Sequence, residues 1–216
     1  MDVDKNDGNV NNAYFAVGGV PFVNTKFVRL TEGSPYFKDE WSKGLLLLEG
    51  DKQYKGLLKL DLYSNEVHYQ DVKGNDFVVA QPIKKIVFTD ALATLSFVHA
   101  SLLPKSTVPN KAGWYLELYS DSAASLYKYF VKELTENRPY NSATYEQKIR
   151  TVDVYRVHYN NSAVEIKKLK DAPSLFGDKK AALEGFLKTG DDKKASMDDR
   201  MIAFVTYLNS LLTPAK

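Results

Sequence analysis

The stretch "LLKLDLYSNEVHYQDVKGNDFVVA", Leu57 to Ala80, decides the fold class. Its first residues set Leu58, Leu60 and Leu62 on one parity and Leu57, Lys59, Asp61 and Tyr63 on the other. Successive side chains of a strand point to opposite faces, so this period of two predicts a strand with one side buried and one side wetter. The remainder predicts a hairpin that turns at Lys73-Gly74-Asn75. Gly and Asn belong there because they tolerate positive φ or bond their own backbone. The same pattern recurs along the chain. "WYLELYSDSAASLYKYFVKEL" predicts a hairpin turning at Ser120-Asp121-Ser122, and "VYRVHYNNSAVEIKKL" one turning at Asn160-Asn161-Ser162.

From Tyr14 to about Leu169 short alternating runs follow one another with turn residues between them, which is the all-β pattern. Near Pro173 the period changes. Leu175, Phe176, Ala182, Leu183, Phe186 and Leu187 recur at helical spacing, with Gly190 as a stop. A second helix opens at Ser196-x-x-Asp199, a variant of the capping box, and carries a stripe of Met201, Ile202, Val205, Leu208 and Leu212. Two helices this short need packing partners. The expected fold is therefore mainly β: antiparallel hairpins in a barrel-like or sandwich domain, with two short C-terminal helices packed on it. The alternative is an α+β fold with one open antiparallel sheet. Residues 1–12 read as a flexible tail and 13–216 as one domain, with 13–170 as its β region and 171–216 as its helical pair.

Composition narrows the function classes. The 216-residue chain is 44% hydrophobic and 26% charged, ordinary values for a globular protein that buries its own core. A formal net charge of +2 implies no strong field of one sign, so no nucleic-acid partner is expected. There is no cysteine, which removes disulfides, thiolate catalysis and Cys-ligated metals. No apolar run reaches the roughly 18 residues of a membrane-spanning helix. The polar start "MDVDKNDGNVNN" is not a signal peptide. An Asn- and Asp-rich tail ahead of the first apolar residues fits a periplasmic or secreted protein whose signal has been removed, with a cytosolic location as the alternative.

"GSPYFKDEWSKG", Gly33 to Gly44, places turn formers beside Tyr36, Phe37 and Trp41, just ahead of Leu45–Leu48. We read it as a corner in which Gly33 and Pro35 make the turn, Tyr36 and Trp41 pack beneath it, and Asp39 and Glu40 stay in water. This corner, with "GDKQYKGLLKLDLYSNEVHYQDVKGN", "PIKKIVF", "LYKYFVKEL" and "YLNSLL", resembles a group of exported β-rich proteins of Bacteroidetes. The positions that carry the resemblance are Gly33, Pro35, Tyr36, Trp41, Gly44, Tyr54, Asp61 and Tyr63, while Leu60 stands where the group carries Tyr. The resemblance implies a mainly β fold and export, and it brings no activity and no catalytic residue.

No catalytic constellation emerges from the residues. There is no Gly-x-Ser-x-Gly elbow and no phosphate-binding Gly loop. Asp39 and Glu40 are adjacent, so on a strand they face opposite ways and do not flank one bond as a glycosidase pair must. "DVDKNDG" resembles a calcium loop through Asp2, Asp4, Asn6 and Asp7, but Gly8 falls at position seven and Ala13 at position twelve, where the motif needs Gly at six and Glu at twelve. His68, His99 and His158 share no ligand spacing; alternation places His68 on the wetter side of its strand and His99 among core or rim residues. Neither a metal nor a cofactor is expected. Lysines in "KKIVF" (from Lys84) and "EIKKLK" (Glu165 to Lys170) read as protection of sheet edges.

Aromatic residues make up 12% of the chain, and they are the one feature with binding potential. Tyr36, Trp41, Trp114 and Tyr119 are the candidate ligand-binding residues, since an aromatic row on a β face stacks sugars or anchors a protein. Cross-strand aromatic pairs that merely stabilise the sheet make the same row, and that is the commoner origin. The function expected is non-enzymatic binding at the cell envelope, with a glycan or an envelope protein as partner. The alternatives are a hydrolase with a site assembled from distant strands, using His68 and His158, and a carrier of small apolar ligands.

Overall fold

The computed structural model describes residues 17–22, 26–89, 93–103, 113–138, 140, 144–160 and 162–213. Twelve strands are described: β1 (Gly19–Pro21), β2 (Leu30–Glu32), β3 (Ser42–Leu48), β4 (Gln53–Asp61), β5 (Glu66–Gln70), β6 (Asp76–Val79), β7 (Ile83–Thr89), β8 (Thr94–His99), β9 (Trp114–Ser120), β10 (Ala124–Asn137), β11 (Glu146–Tyr159) and β12 (Ser162–Ile166). Two helices follow, α1 (Lys180–Thr189) and α2 (Met197–Leu212). Strand order is β1-β6-β5-β4-β3-β7-β8-β9-β10-β11-β12, with β2 beside β11. That order has two ends and does not close on itself. The mainly β class with two C-terminal helices holds, in the form of a single open, predominantly antiparallel sheet.

The chain divides into two compact units, Met1–Ser96 with Val131–Val152, and Phe97–Phe130 with Asp153–Lys216. In the first, β3, β4, β5 and β6 form an antiparallel meander, and β7 returns to pair with β3. The alternation in "LLKLDLYS" is realised, because Leu58, Leu60 and Leu62 are buried while Leu57 and Tyr63 are exposed. Register carries the apolar parity across the sheet: Leu58 pairs with Tyr69, Leu60 with Val67, and Leu46 with Ile86, all buried. The hairpin between β5 and β6 turns where predicted. Gly74 adopts φ +82°, and Asp71 accepts hydrogen bonds from the backbone N–H groups of Lys73 and Asn75, each at 2.8 Å.

One strand assignment changes. Lys84 and Lys85 lie on β7, which pairs with β3 and has β8 on its other side, so they do not guard an edge. "EIKKLK" begins in β12, an end of the strand order, where edge protection applies. Amphipathic lysines occur in both places because a half-wet strand interior accommodates a lysine stem as well as an edge does.

In the second unit the helices cover a core of Leu126, Tyr155, Val157, Ile166, Phe176 and Leu183. Met201, Phe204, Val205 and Leu208 of α2 are all buried in it. Ser196 caps α2 as its sequence predicts, accepting from the Asp199 N–H at 3.1 Å. Phe186 of α1 stacks on Tyr207 of α2 with centroids 4.8 Å apart. The helical period read from Leu175 and Phe176 resolves into 3-10 turns over Leu169–Leu175 and Gly177–Lys179, and α-helix starts only at Lys180. Pro173 lacks an N–H, and Gly177 sits at φ +51°, which together prevent a continuous α-helix there. Among the described residues no helix is long and apolar enough to cross a membrane.

Candidate functional site

The Gly33–Gly44 corner is laced along the end of β4. Leu62 N–H and Tyr63 N–H both donate to the Pro35 carbonyl, at 2.9 and 3.2 Å, and Phe37 N–H donates to the Leu60 carbonyl at 2.9 Å. Ser34 Oγ donates to Asp39 and accepts from the Tyr36 N–H, which tightens the turn. Lys132 Nζ donates to the Tyr36 carbonyl at 2.8 Å. Extended backbone sends neighbouring side chains to opposite sides. Phe37 accordingly stacks on Phe88 of the apolar face, and Tyr36 turns to the polar face of β4 and β5. Pro35 is buried, Tyr36 and Trp41 are half-buried, and Asp39 and Glu40 are exposed.

On that polar face the Lys59 ammonium lies 4.6 Å from the Tyr36 ring centroid and 5.1 Å from that of Trp41. A cation held by two aromatic faces is a favourable arrangement. A concavity of about 10 Å³, room for a single water, is lined in part by Phe37, Leu58, Leu60 and Phe88 and so belongs to the opposite, apolar side of β4.

Beneath the corner lies a group of side chains that sequence reasoning set on the wet side of the strands. Asp61 and His68 are each only 1% exposed. Alternation assigned their face correctly, since Lys59 pairs with His68 and Asp61 with Glu66. It misjudged what covers that face. Phe22 packs on the His68 ring at 4.2 Å, Tyr36 meets it edge-on at 5.7 Å, and Lys26 reaches over Asp61 and Glu66. These segments come from far along the chain, and no local pattern announces them. The signal that was present is the register: in a hairpin that pairs Leu60 with Val67, Asp61 and Glu66 fall directly opposite each other. Opposed like charges destabilise a sheet unless a cation joins them.

Lys26 supplies that charge. Its Nζ lies 2.7 Å from Glu66 Oε2, 2.5 Å from Ser64 Oγ and 3.5 Å from Asp61 Oδ2. The other Asp61 oxygen accepts the backbone N–H groups of Tyr63 and Ser64, at 2.9 and 2.8 Å. His68 Nε2 is 3.5 Å from Glu66 Oε2. Burial pushes His68 below its usual 6.5, outweighing the two carboxylates, so the ring is neutral. Burial, with Asp61, Asp76, Asp39 and Glu66 nearby, pushes the Tyr36 phenol up to about 12. Glu66 is lowered, because Lys26 and His68 outweigh its burial. Asp61, Glu66 and His68 offer one ligand atom each, all within 4.8 Å of one another.

The remaining candidates lie elsewhere. Trp114, in the second unit, is only 3% exposed and meets His99 edge-on at 5.0 Å. Tyr119 is half-buried and donates to Asp121 at 3.1 Å. His99 Nδ1 lies 2.9 Å from Ser101 Oγ and accepts the Ser101 N–H, as expected for a hydrogen-bonded rim histidine. His158 meets the Tyr127 ring at 5.0 Å, and burial followed by the Arg156 charge pushes it down. His68 belongs to the first unit, while His99 and His158 belong to the second. The Asp2–Asp7 segment and the tail over residues 1–12 lie outside the described residues.

Stability follows from the histidine shifts. His68 and His158 bind protons more weakly folded than unfolded, so their contribution is complete above about 6.5 and is lost as pH falls below it. Urea midpoints are expected to drop between pH 7 and pH 5, and His68→Gln is expected to flatten that fall. A variant with the same slope as the natural chain would remove His68 from the account.

Compared with known protein families, curated proteins and solved structures, the chain finds no match.

Proposed function

We propose that this is a non-enzymatic binding protein acting outside the cytoplasm, at the cell envelope, and that its docking face is the Tyr36–Lys59–Trp41 patch. The observation that supports this reading is the Lys59 ammonium held at 4.6 and 5.1 Å over two half-buried aromatic rings. Such a patch offers what a glycan uses: ring faces for stacking and a fixed cation for an acidic or hydroxyl substituent. The resemblance to exported Bacteroidetes proteins supports the location.

The test is a glycan array that includes uronic-acid polymers, followed by titration of the best binder against Trp41→Ala. Trp41 is half-buried, so the variant is expected to fold with a stability change of about 1 kcal/mol or less and to lose at least tenfold in affinity. An array without a binder, or equal affinity in Trp41→Ala, would overturn the glycan reading. Binding of an envelope protein that Trp41→Ala abolishes would keep the docking face and change the partner.

A further inference from the structure

We propose that Asp61, Glu66 and His68 form a site for one divalent transition-metal ion, zinc or manganese, for which the Lys26 ammonium is an internal competitor. This is independent of the aromatic docking face above it. The ligand set is one imidazole and two carboxylates, chemistry that suits these ions. Two residues of the set are almost wholly buried, which is unusual for an acid and a histidine that merely decorate a sheet.

Three observations carry it. Asp61 and Glu66 are direct cross-strand partners, so the fold itself forces two carboxylates together. Against them stands one ammonium, that of Lys26. A divalent ion balances both carboxylates. Further, the hydrogen bond that the buried Asp61 Oδ2 accepts among the described residues is the one from Lys26 at 3.5 Å, at the limit of such a bond. Asp61 Oδ1 is already committed to two backbone N–H groups, which fixes the carboxylate with Oδ2 turned toward Glu66 and Lys26. Finally, the 3.5 Å between His68 Nε2 and Glu66 Oε2 is close to the separation of about 3.3 Å for two ligands on a tetrahedral ion with bonds near 2.0–2.1 Å. The three ligand atoms lie within 4.8 Å of one another, so any pair wider than about 3.3 Å has to contract on such an ion. Glu66, with 36% of its side chain exposed, has the freedom to supply that movement. Lys26 is 30% exposed and sits in a bend outside any strand, so its ammonium has a path to water when an ion takes its place. Ser64 Oγ, now 2.5 Å from Lys26, is positioned to be a fourth ligand.

The experiment is isothermal titration of the full chain with zinc chloride and, separately, manganese chloride. Lys26→Met is expected to bind one ion per chain at least tenfold more tightly than the natural chain. Adding Glu66→Gln to that variant is expected to cost at least tenfold again. The proposal is overturned if Lys26→Met binds no more tightly than the natural chain. It is equally overturned if Glu66→Gln changes nothing, since the ion would then sit elsewhere, at His99 or His158 for instance. Should Lys26→Met not fold, the rise in melting temperature in 1 mM zinc chloride is compared between the natural chain and Glu66→Gln. A rise lost in the variant supports the site, and equal rises, or none in either, refute it.

Discussion

Gly33→Ala is expected to destabilise the first unit by about 3–5 kcal/mol, a large effect for one added methyl group. Two causes add. Gly33 adopts φ +79°, a left-handed conformation that costs an L-residue about 1–2 kcal/mol. A Cβ built there would also lie 1.9 Å from the carbonyl oxygen of Ile149. The obstacle is backbone, within β11, so no side-chain rotation relieves it. Either β2 must leave β11 or both must shift, and the contacts between them go with it. These include the Gln147 N–H donating to the Arg29 carbonyl at 2.9 Å and the Gln147 side chain accepting from the Val28 N–H at 2.9 Å. Gly74→Ala is the control that separates the two causes. Gly74 has φ +82° with nothing within 4 Å of its would-be Cβ, so only the conformational cost of about 1–2 kcal/mol is expected there. Urea denaturation of both variants decides the matter. Equal losses at the two glycines would refute the close approach.

Lys128→Ala is expected to cost the second unit about 3 kcal/mol. Lys128 is 8% exposed, and its Nζ lies 2.8 Å from Asp153 and 3.0 and 3.1 Å from the two oxygens of Asp198. Tyr155 donates its hydroxyl to the same Asp198 at 2.5 Å. Asp198 lies in the first turn of α2, where a carboxylate is also favoured by the helix dipole. The network thus fastens the start of α2 to β10 and β11. Removing the cation leaves two carboxylates facing each other, and breaking a buried pair from one side costs about 3–5 kcal/mol. We set the figure at the low end because Asp153 and Asp198 keep 43% and 34% of their side chains in water. Lys128→Met keeps the stem over Phe130 and Tyr155 and is expected to lose less than Lys128→Ala. Chemical denaturation of the pair tests this, and a loss below 1 kcal/mol in Lys128→Ala would sink it.

The same network has an alkaline signature. Burial and the Asp198 hydrogen bond push Tyr155 far above its usual 10, and the carboxylates raise Lys128 despite its burial. Both groups hold protons more tightly folded than unfolded, so their contribution is complete at lower pH and is lost as pH climbs beyond about 10. The Tyr36 phenol, at about 12, acts in the same direction between 10 and 12. With the histidines acting at the acid end, maximal stability is expected between the two limbs.

Much of the fold was legible because its signals are local. The period of two in "LLKLDLYS" depends only on how strand side chains alternate, and the turns at Gly74, Asp121 and Asn160 depend only on which residues tolerate those conformations. Ser196 and Asp199 cap α2 across three residues. The corner was legible in its turn and in its exposed Asp39 and Glu40 for the same reason. The faces of Asp61 and His68 were legible too, but their burial was not. Burial depends on what lies over a face, and here that is Phe22, Lys26 and Tyr36, brought in by tertiary packing across 30 to 50 residues of chain. The lysines in "KKIVF" misled because edge and interior strands share one alternation, and only strand order tells them apart.

By itself, then, the amino-acid order determined the strands, their turns, the two helices and the apolar parity, since each is an interaction between residues a few positions apart. Tertiary structure alone decided which polar face is covered, that Lys59 stands between Tyr36 and Trp41, and that two facing carboxylates meet a lysine from another segment. Those are contacts between distant parts of the chain, and their energies depend on a geometry that exists only once the sheet has formed.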